Sequence, residues 1–360
     1  MSRPIHVLID LSALEHNLSV VRHYAPHARV MAVIKANAYG HGLLHAAKAL
    51  KNADGFAMLE LDAAICLRKA GYHQPILLLE GFFSTTELVL FKQYNLSAVI
   101  HHKEQLMMLA ASVECNRLDV FVKINTGMNR LGFAPEEFPS ALHSLETNPA
   151  INQISLMTHL ANADDLTEKA SVTKQLQCFD TKTMGLKHLR SLANSAAIMQ
   201  YPETHADWVR PGIMLYGASP FSDRTAAELG LKPVMTVSSK LIAIQNLEAG
   251  DKVGYRGQFQ ATHAMRIGIV AGGYADGYPR HALTGTPVLV NGQRTHTLGF
   301  VSMDMLAVDL SHIENAELGS PVILWGKGLP VDEVASTAGT ISYELLCAMA
   351  SRVESRIQGT

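Results

Sequence analysis

Arg29-Val30-Met31-Ala32-Val33-Ile34-Lys35-Ala36-Asn37-Ala38-Tyr39-Gly40-His41-Gly42 is the segment on which the fold turns. An apolar run of strand length, Val30 to Lys35, closes on a lysine and opens into a loop carrying two glycines. Continuous rather than alternating apolarity is what a strand buried on both faces requires, and such strands belong to parallel sheets covered by helices. Working outward, the same unit recurs at Gly55 to Glu60, Ile76 to Leu79, Ser97 to His101, Asp119 to Asn125, Gln153 to His159, His188 to Ala193 and Asp207 to Leu215. Between the runs lie segments such as Asp62 to Ala70, Lys103 to Glu114 and Leu166 to Met184, rich in Ala, Leu, Glu, Lys and Gln at helical spacing. Eight strand–helix units predict an α/β fold with an N-terminal TIM-type (β/α)8 barrel. An open doubly wound sheet is the weaker alternative, since no G-x-G-x-x-G follows the first strand.

Past Leu231 the texture changes to β-branched runs broken by turns: Val234 to Ile244, Met265 to Ala271, Val288 to Val290, Met305 to Leu310 and Val322 to Trp325. Asn291-Gly292 between two such runs is the strongest hairpin signal in the chain. A mostly β C-terminal domain therefore follows the barrel. The expected division is 1–225 and 226–360, within the Pro- and Gly-containing stretch Ser219 to Pro233, with the first few residues able to pack on the second domain.

The 360 residues carry 30 Lys and Arg against 32 Asp and Glu, a net charge of −2, and only 17% are charged while 48% are hydrophobic. With no basic run, the chain has no electrostatic footprint for nucleic acid and no reason to seek a membrane surface. No window approaches the roughly 18 apolar residues of a spanning helix. Cys66, Cys115, Cys178 and Cys347 are scattered without framework spacing, as expected of reduced thiols in a cytoplasmic protein. His41 and His45 stand four apart on a predicted helix, the spacing of a metal pair. No carboxylate or cysteine completes a site, so they are expected to be plain helix residues and no metal is expected.

In a β/α barrel the chemistry sits where strands end in loops, often with phosphate after strands seven and eight. Lys35 closes strand one; a lysine there is costly to keep charged, which favours a neutral amine able to form a Schiff base, although a lysine snorkelling to the rim fits equally simple rules. Ser195 at a predicted helix start and Gly212, where backbone amides can approach a ligand, close strands seven and eight as a phosphate cradle. Lys123 and Arg130 leave strand five, and His159 closes strand six. A lysine on strand one with phosphate at strands seven and eight is the layout a pyridoxal phosphate barrel requires.

At this point the motifs resemble the alanine racemases. The segments that carry the likeness are Val33 to Gly42, Thr126-Gly127-Met128-Asn129-Arg130-Leu131-Gly132, Ala193-Asn194-Ser195-Ala196, Arg210 to Gly217, Val253-Gly254-Tyr255, Gly273 to Tyr278 and Val301-Ser302-Met303-Asp304, in the family's order over nearly the whole chain. The resemblance implies that Lys35 binds pyridoxal 5'-phosphate covalently, that Tyr39, Ser195, Gly212, Ile213 and Tyr343 hold its phosphate, that His159 packs on its ring and that Arg210 bonds the pyridine nitrogen. It implies Arg130 for the substrate carboxylate and a carbamylated lysine at Lys123. Two bases flank the substrate, Lys35 on the D side and Tyr255 on the L side, with Tyr255 and Met303 brought in from the partner of a homodimer. A phenol is a poor base unless cations favour its phenolate, and the His159–Arg210 pair is the implied source.

The implied reaction is interconversion of L- and D-alanine, for peptidoglycan or for alanine catabolism. Alternatives are a racemase for another small amino acid such as serine, or a non-catalytic pyridoxal phosphate-binding protein. A decarboxylase of the same barrel type would need a cysteine acid, and Cys347 lies outside any such motif. Two positions depart from the family pattern. Arg256 stands where a small residue follows the tyrosine, and Phe300 stands where an arginine of the substrate access corridor is usual; Arg256 is a candidate to replace that charge.

Overall fold

The computed structural model describes residues 3–111 and 118–359; Cys115 and the end of the helix expected over Lys103 to Glu114 lie outside them. Eight parallel strands close into a barrel: Arg29–Val33, Gly55–Met58, Ile76–Leu78, Ser97–Ile100, Leu118–Lys123, Ile151–Met157, Leu189–Ser191 and Trp208–Val209. Closure is made by the first and last of these, where Arg29 pairs with Trp208 and Val30 with Val209. The strand interiors are almost entirely buried, including Met31, Ala32, Phe56, Leu77, Val99, Val120 and Leu156. This is the two-sided burial that continuous apolar runs signal.

The eighth strand is shorter than the expected Asp207 to Leu215. Arg210 still donates its amide to Ala193, but Pro211 has no amide to give and Gly212 turns the chain into the 3-10 segment Ile213–Tyr216. Helix starts follow side-chain chemistry. The first helix, Leu11–Tyr24, begins where Asp10 caps the amides of Ser12 and Ala13.

The second layer is an eight-stranded sheet built on the long strand Met235–Leu247, with Met265–Ala271, Pro287–Val290, Gln293–Leu298, Met305–Asp309 and Pro321–Trp325. Pro287–Val290 and Gln293–Leu298 form the expected hairpin, Asn291 at φ +50° and Gly292 at φ +76° supplying the two left-handed positions of a tight turn. Two strands from the ends of the chain complete this sheet: His6–Asp10 lies antiparallel to Met235–Leu247 and parallel to Glu354–Gln358. The barrel thus follows a strand that belongs to the other layer. No helix among the described residues is long and apolar enough to cross a membrane.

Two glycines lock the layers together. A Cβ on Gly217 would lie 1.8 Å from the carbonyl oxygen of Lys232, and one on Gly40 would lie 2.2 Å from that of Leu346. The second contact seats the loop after the first barrel strand directly on the short helix Ser342–Cys347 of the C-terminal layer.

Candidate active site

The loop after the first barrel strand takes an uncommon form. Ala36, Asn37, Ala38 and Tyr39 all have φ between +52° and +55°, so the chain leaves Lys35 as one turn of left-handed helix before Gly40 and Gly42. Each non-glycine residue in that conformation costs about 1–2 kcal/mol, so the turn persists only because its surroundings hold it. The amide of Ala36 donates to the Glu60 carboxylate at 3.3 Å, and the Asn37 side chain accepts from Leu43 at 2.8 Å, heading the next helix. His41 lies in the turn and not on a helix, which removes the metal-pair geometry; it is 2% exposed.

Lys35, Tyr39, Lys123, Arg130, His159, Ser195, Arg210, Gly212, Ile213 and Tyr343 all line one cavity of about 1490 Å³ at the C-terminal mouth of the barrel. Met303 and Tyr255 do not line it. Both are exposed, at 53% and 74%, on the C-terminal layer. The two loops that carry them are joined, since a Cβ on Gly299 would stand 3.2 Å from the carbonyl oxygen of Val253.

The cavity has two chemically distinct ends. At one, the Ser195 hydroxyl accepts from the amide of Gly212 at 2.8 Å and stands in the first turn of the helix Ser195–Gln200, which Asn194 caps through Ala197. The amides of Ser195 and Ala196 have no acceptor inside that helix. Gly212 lies against Tyr39, where a Cβ would come within 2.7 Å of the phenol oxygen, and the Tyr39 hydroxyl itself makes no hydrogen bond among the described residues. Burial pushes the Tyr39 and Tyr343 phenols upward, so both remain donors at neutral pH. Hydroxyls, free amides and a glycine form an anion cradle, and the residues present fit a phosphate.

The other end is a cluster of cations. Arg210 is 4% exposed and is held by Ser191 Oγ, the carbonyls of Thr158 and Leu192, and His159 Nδ1 at 3.4 Å, yet among the described residues no carboxylate pairs with it and its Nε has no partner. Desolvation draws its guanidinium down to about 10. His159 is held well below its ordinary value by burial and then by Arg210, so it is neutral and the His159–Arg210 pair carries one charge. The pair is therefore a weaker source of phenolate stabilisation than two cations would be. Gln175 orients His159 by donating to its carbonyl and to Thr126, which in turn bonds Thr158.

The desolvation expected for Lys35 falls on Lys123. Lys35 is only half-buried, whereas Lys123 is 8% exposed and its ammonium is drawn down to about 8 by burial and then by Arg210, Arg130 and Lys35. Arg130 is exposed at the rim without an ion pair among the described residues, presented by a loop in which Asn125 accepts from the amides of Gly127 and Asn129. Glu80 and Asp164 also line the wall.

Sequence reasoning missed three neighbours of this site. Cys347 lines the cavity with its thiol pushed up by burial, and Glu60 and His41 hold the Lys35 turn. No spacing announces Glu60 or Cys347, because their approach depends on the left-handed turn and on the seating of Gly40. The cation beside Phe300 is Arg280, 5.8 Å from the ring centroid, while Arg256 adopts φ +62° in the exposed Tyr255 turn. Arg280 thus stands next to the position of the missing charge.

Comparison with known proteins adds an independent line. The chain matches the family "Alanine racemase, N-terminal domain" over residues 9–220 and "Alanine racemase, C-terminal domain" over 234–357. It is 64% identical to an alanine racemase of Nitrosospira multiformis, over 98% of this chain and 99% of that one. It is 52% identical to a catabolic alanine racemase of Salmonella typhimurium, with 98% and 99% covered. Among solved structures, the biosynthetic alanine racemase from Pseudomonas aeruginosa superposes with a TM-score of 0.97 at 45% identity, covering 99% of this chain and all of that one.

Proposed function

Because the chain belongs to the alanine racemase family, we propose that its cavity binds pyridoxal 5'-phosphate and that Lys35 and Tyr255 exchange the α-proton of alanine from opposite faces. The activity itself, racemisation of alanine, follows from the family. The observation that carries the finer reading is the convergence of Lys35, Lys123, Arg130 and Arg210 on a cavity whose far end offers unpartnered hydroxyls and amides. Around Lys123 the charges of Arg210, Arg130 and Lys35 outweigh that of Glu80, so this end of the cavity favours an anionic guest.

When bound, pyridoxal phosphate supplies the electron sink that lets the α-proton of an amino acid leave. Lys35 would hold the cofactor covalently through its Nζ, and the same amine would hold or return the proton on the D side. Tyr39, Ser195, Gly212, Ile213 and Tyr343 grip the phosphate, and His159, neutral and held by Arg210, packs on the ring. Arg210 would bond the pyridine nitrogen and, because a guanidinium keeps its own proton, would not favour ring protonation. Arg130 binds the substrate carboxylate through its fork.

Tyr255, with Met303 beside it, reaches the cavity from a second copy of the chain, which makes a homodimer the working unit. Their shared exposure and separation from their own cavity support this arrangement. A cytoplasmic address belongs to the same reading. The product serves peptidoglycan synthesis or, in the other direction, alanine catabolism; a relative named catabolic and a structure named biosynthetic are both similar to this chain. The purified protein in deuterium oxide, given either enantiomer of alanine, is expected to produce the other with deuterium at Cα. Conversion without label would overturn the proton-exchange scheme.

Lys123 is placed as a carbamate beside Arg130. With its ammonium drawn down to about 8, a useful fraction is neutral amine near pH 7.5, and only the neutral amine adds carbon dioxide. The resulting anion replaces a repulsive cation with a partner for Arg130. In carbon-13 bicarbonate a carbamate resonance is expected that strengthens as pH rises from 7 through 8 and is lost in Lys123→Ala. Its absence across that range would leave Lys123 a plain amine.

A further inference from the structure

His41 is buried against the turn that carries Lys35 and Tyr39, and its contacts are directional. Nδ1 lies 2.9 Å from the carbonyl oxygen of Ala38 and 2.8 Å from that of Tyr39. Two acceptors fix the tautomer, with the proton on Nδ1 shared between them, and leave Nε2 buried without a partner. The imidazole ring packs on Tyr216 with centroids 4.7 Å apart, Tyr216 stacks on Tyr39 at 4.6 Å, and the Tyr216 hydroxyl donates to the carbonyl of Val33 at 2.9 Å. One ring stack therefore pins both sides of Lys35: Val33 before it, Ala38 and Tyr39 after it.

A right-handed helix directs its carbonyls along its own axis to its own amides. Here the left-handed turn presents the carbonyls of Ala38 and Tyr39 to a side chain just beyond it. The Ala38 carbonyl also accepts the amide of His41 at 3.0 Å. A buried polar nitrogen left unpaired at Nε2 is a cost, and the fold accepts it at a residue whose other nitrogen makes two bonds.

We infer that His41 is a positioning residue for the covalent anchor: by donating from Nδ1 to the carbonyls of Ala38 and Tyr39 while stacking on Tyr216, it holds the left-handed turn that aims the Lys35 amine and the Tyr39 hydroxyl at a common ligand. The residue does not line the cavity and touches no reacting atom. Burial holds the imidazole down at about 4, so it stays neutral and the clamp is constant over the working pH range. The inference rests on the assignment of Lys35 and Tyr39 to pyridoxal phosphate.

Three substitutions separate the donor from the ring. In His41→Phe the ring remains and the donor is lost. In His41→Asn the ring is lost, but the amide nitrogen hangs from Cγ as Nδ1 does and can meet the same carbonyls. His41→Ala removes both. The holoenzymes are treated with borohydride to fix the cofactor and the mass added at Lys35 is measured; cofactor release on dialysis, the melting temperature, and kcat and KM for alanine are measured alongside.

The expected result is cofactor release about tenfold faster and kcat about tenfold lower in the Phe and Ala variants, at a KM changed far less, with the Asn variant close to wild type in both. A Phe variant that keeps cofactor and kcat as wild type does, or Asn and Ala variants that behave alike, would overturn the clamp. If the Phe variant does not fold, the Asn and Ala pair decides. Wild-type enzyme that gains no mass at Lys35 would instead remove the assignment on which the inference stands.

Discussion

Tyr255→Phe is expected to lower alanine racemisation about 10²- to 10⁴-fold, the range of a lost general base, while exchange of the α-proton of D-alanine with solvent continues. The asymmetry follows from two bases on two faces. Lys35 remains to serve the D side, and only the phenolic oxygen is removed from the L side. Stability is expected to change little, because Tyr255 is 74% exposed and its hydroxyl makes no hydrogen bond among the described residues. Deuterium incorporation followed separately from each enantiomer reads the two faces. Equal loss on both, or none, would remove the two-base assignment.

Lys35→Ala carries the larger loss. It takes away the covalent anchor and the D-side base together, so both racemisation and α-proton exchange should fall to background from either enantiomer, beyond the loss from a single base. Borohydride should no longer fix the cofactor to the chain, although the phosphate cradle at Ser195 and Gly212 is untouched. Mixing the two inactive variants extends the test to assembly. A dimer of one Lys35→Ala chain and one Tyr255→Phe chain holds one cavity with both bases, so random exchange of subunits at equal amounts should restore about a quarter of wild-type activity. No recovery after proven exchange would place both bases in one chain.

The barrel is legible because its strands are continuous apolar runs, and their ends point to Lys35, Lys123, Arg130, His159, Ser195 and Gly212 without any likeness to a family. Legibility failed where local rules invert. The residues after Lys35 read as a loop, but alanine favours the right-handed helix and nothing but Gly40 and Gly42 warns that Ala36 to Tyr39 wind with the opposite hand. His41 departs from its expected place because a spacing of four residues faces a common side only within one continuous helix, and His41 lies in the turn ahead of the helix Leu43–Ala49. The eighth strand was drawn too long because Val209 and Ile213 to Leu215 are apolar on both sides of a break that Pro211 and Gly212 make. Tyr255 stood out in the sequence only through its resemblance, being an exposed turn residue in its own chain.

The strand His6–Asp10 gives the fold a problem of timing. It is made before the barrel, yet its antiparallel partner Met235–Leu247 follows more than two hundred residues later and Glu354–Gln358 later still. At about 5–20 residues per second on the ribosome, the wait for the first pairing is about 10–45 s, while the whole barrel is synthesised. Throughout that interval Val7 and Ile9, both buried in the finished sheet, have no sheet to enter. The nascent chain must carry an unpaired apolar strand while the whole barrel is made, which leaves that segment a natural place for a chaperone to hold.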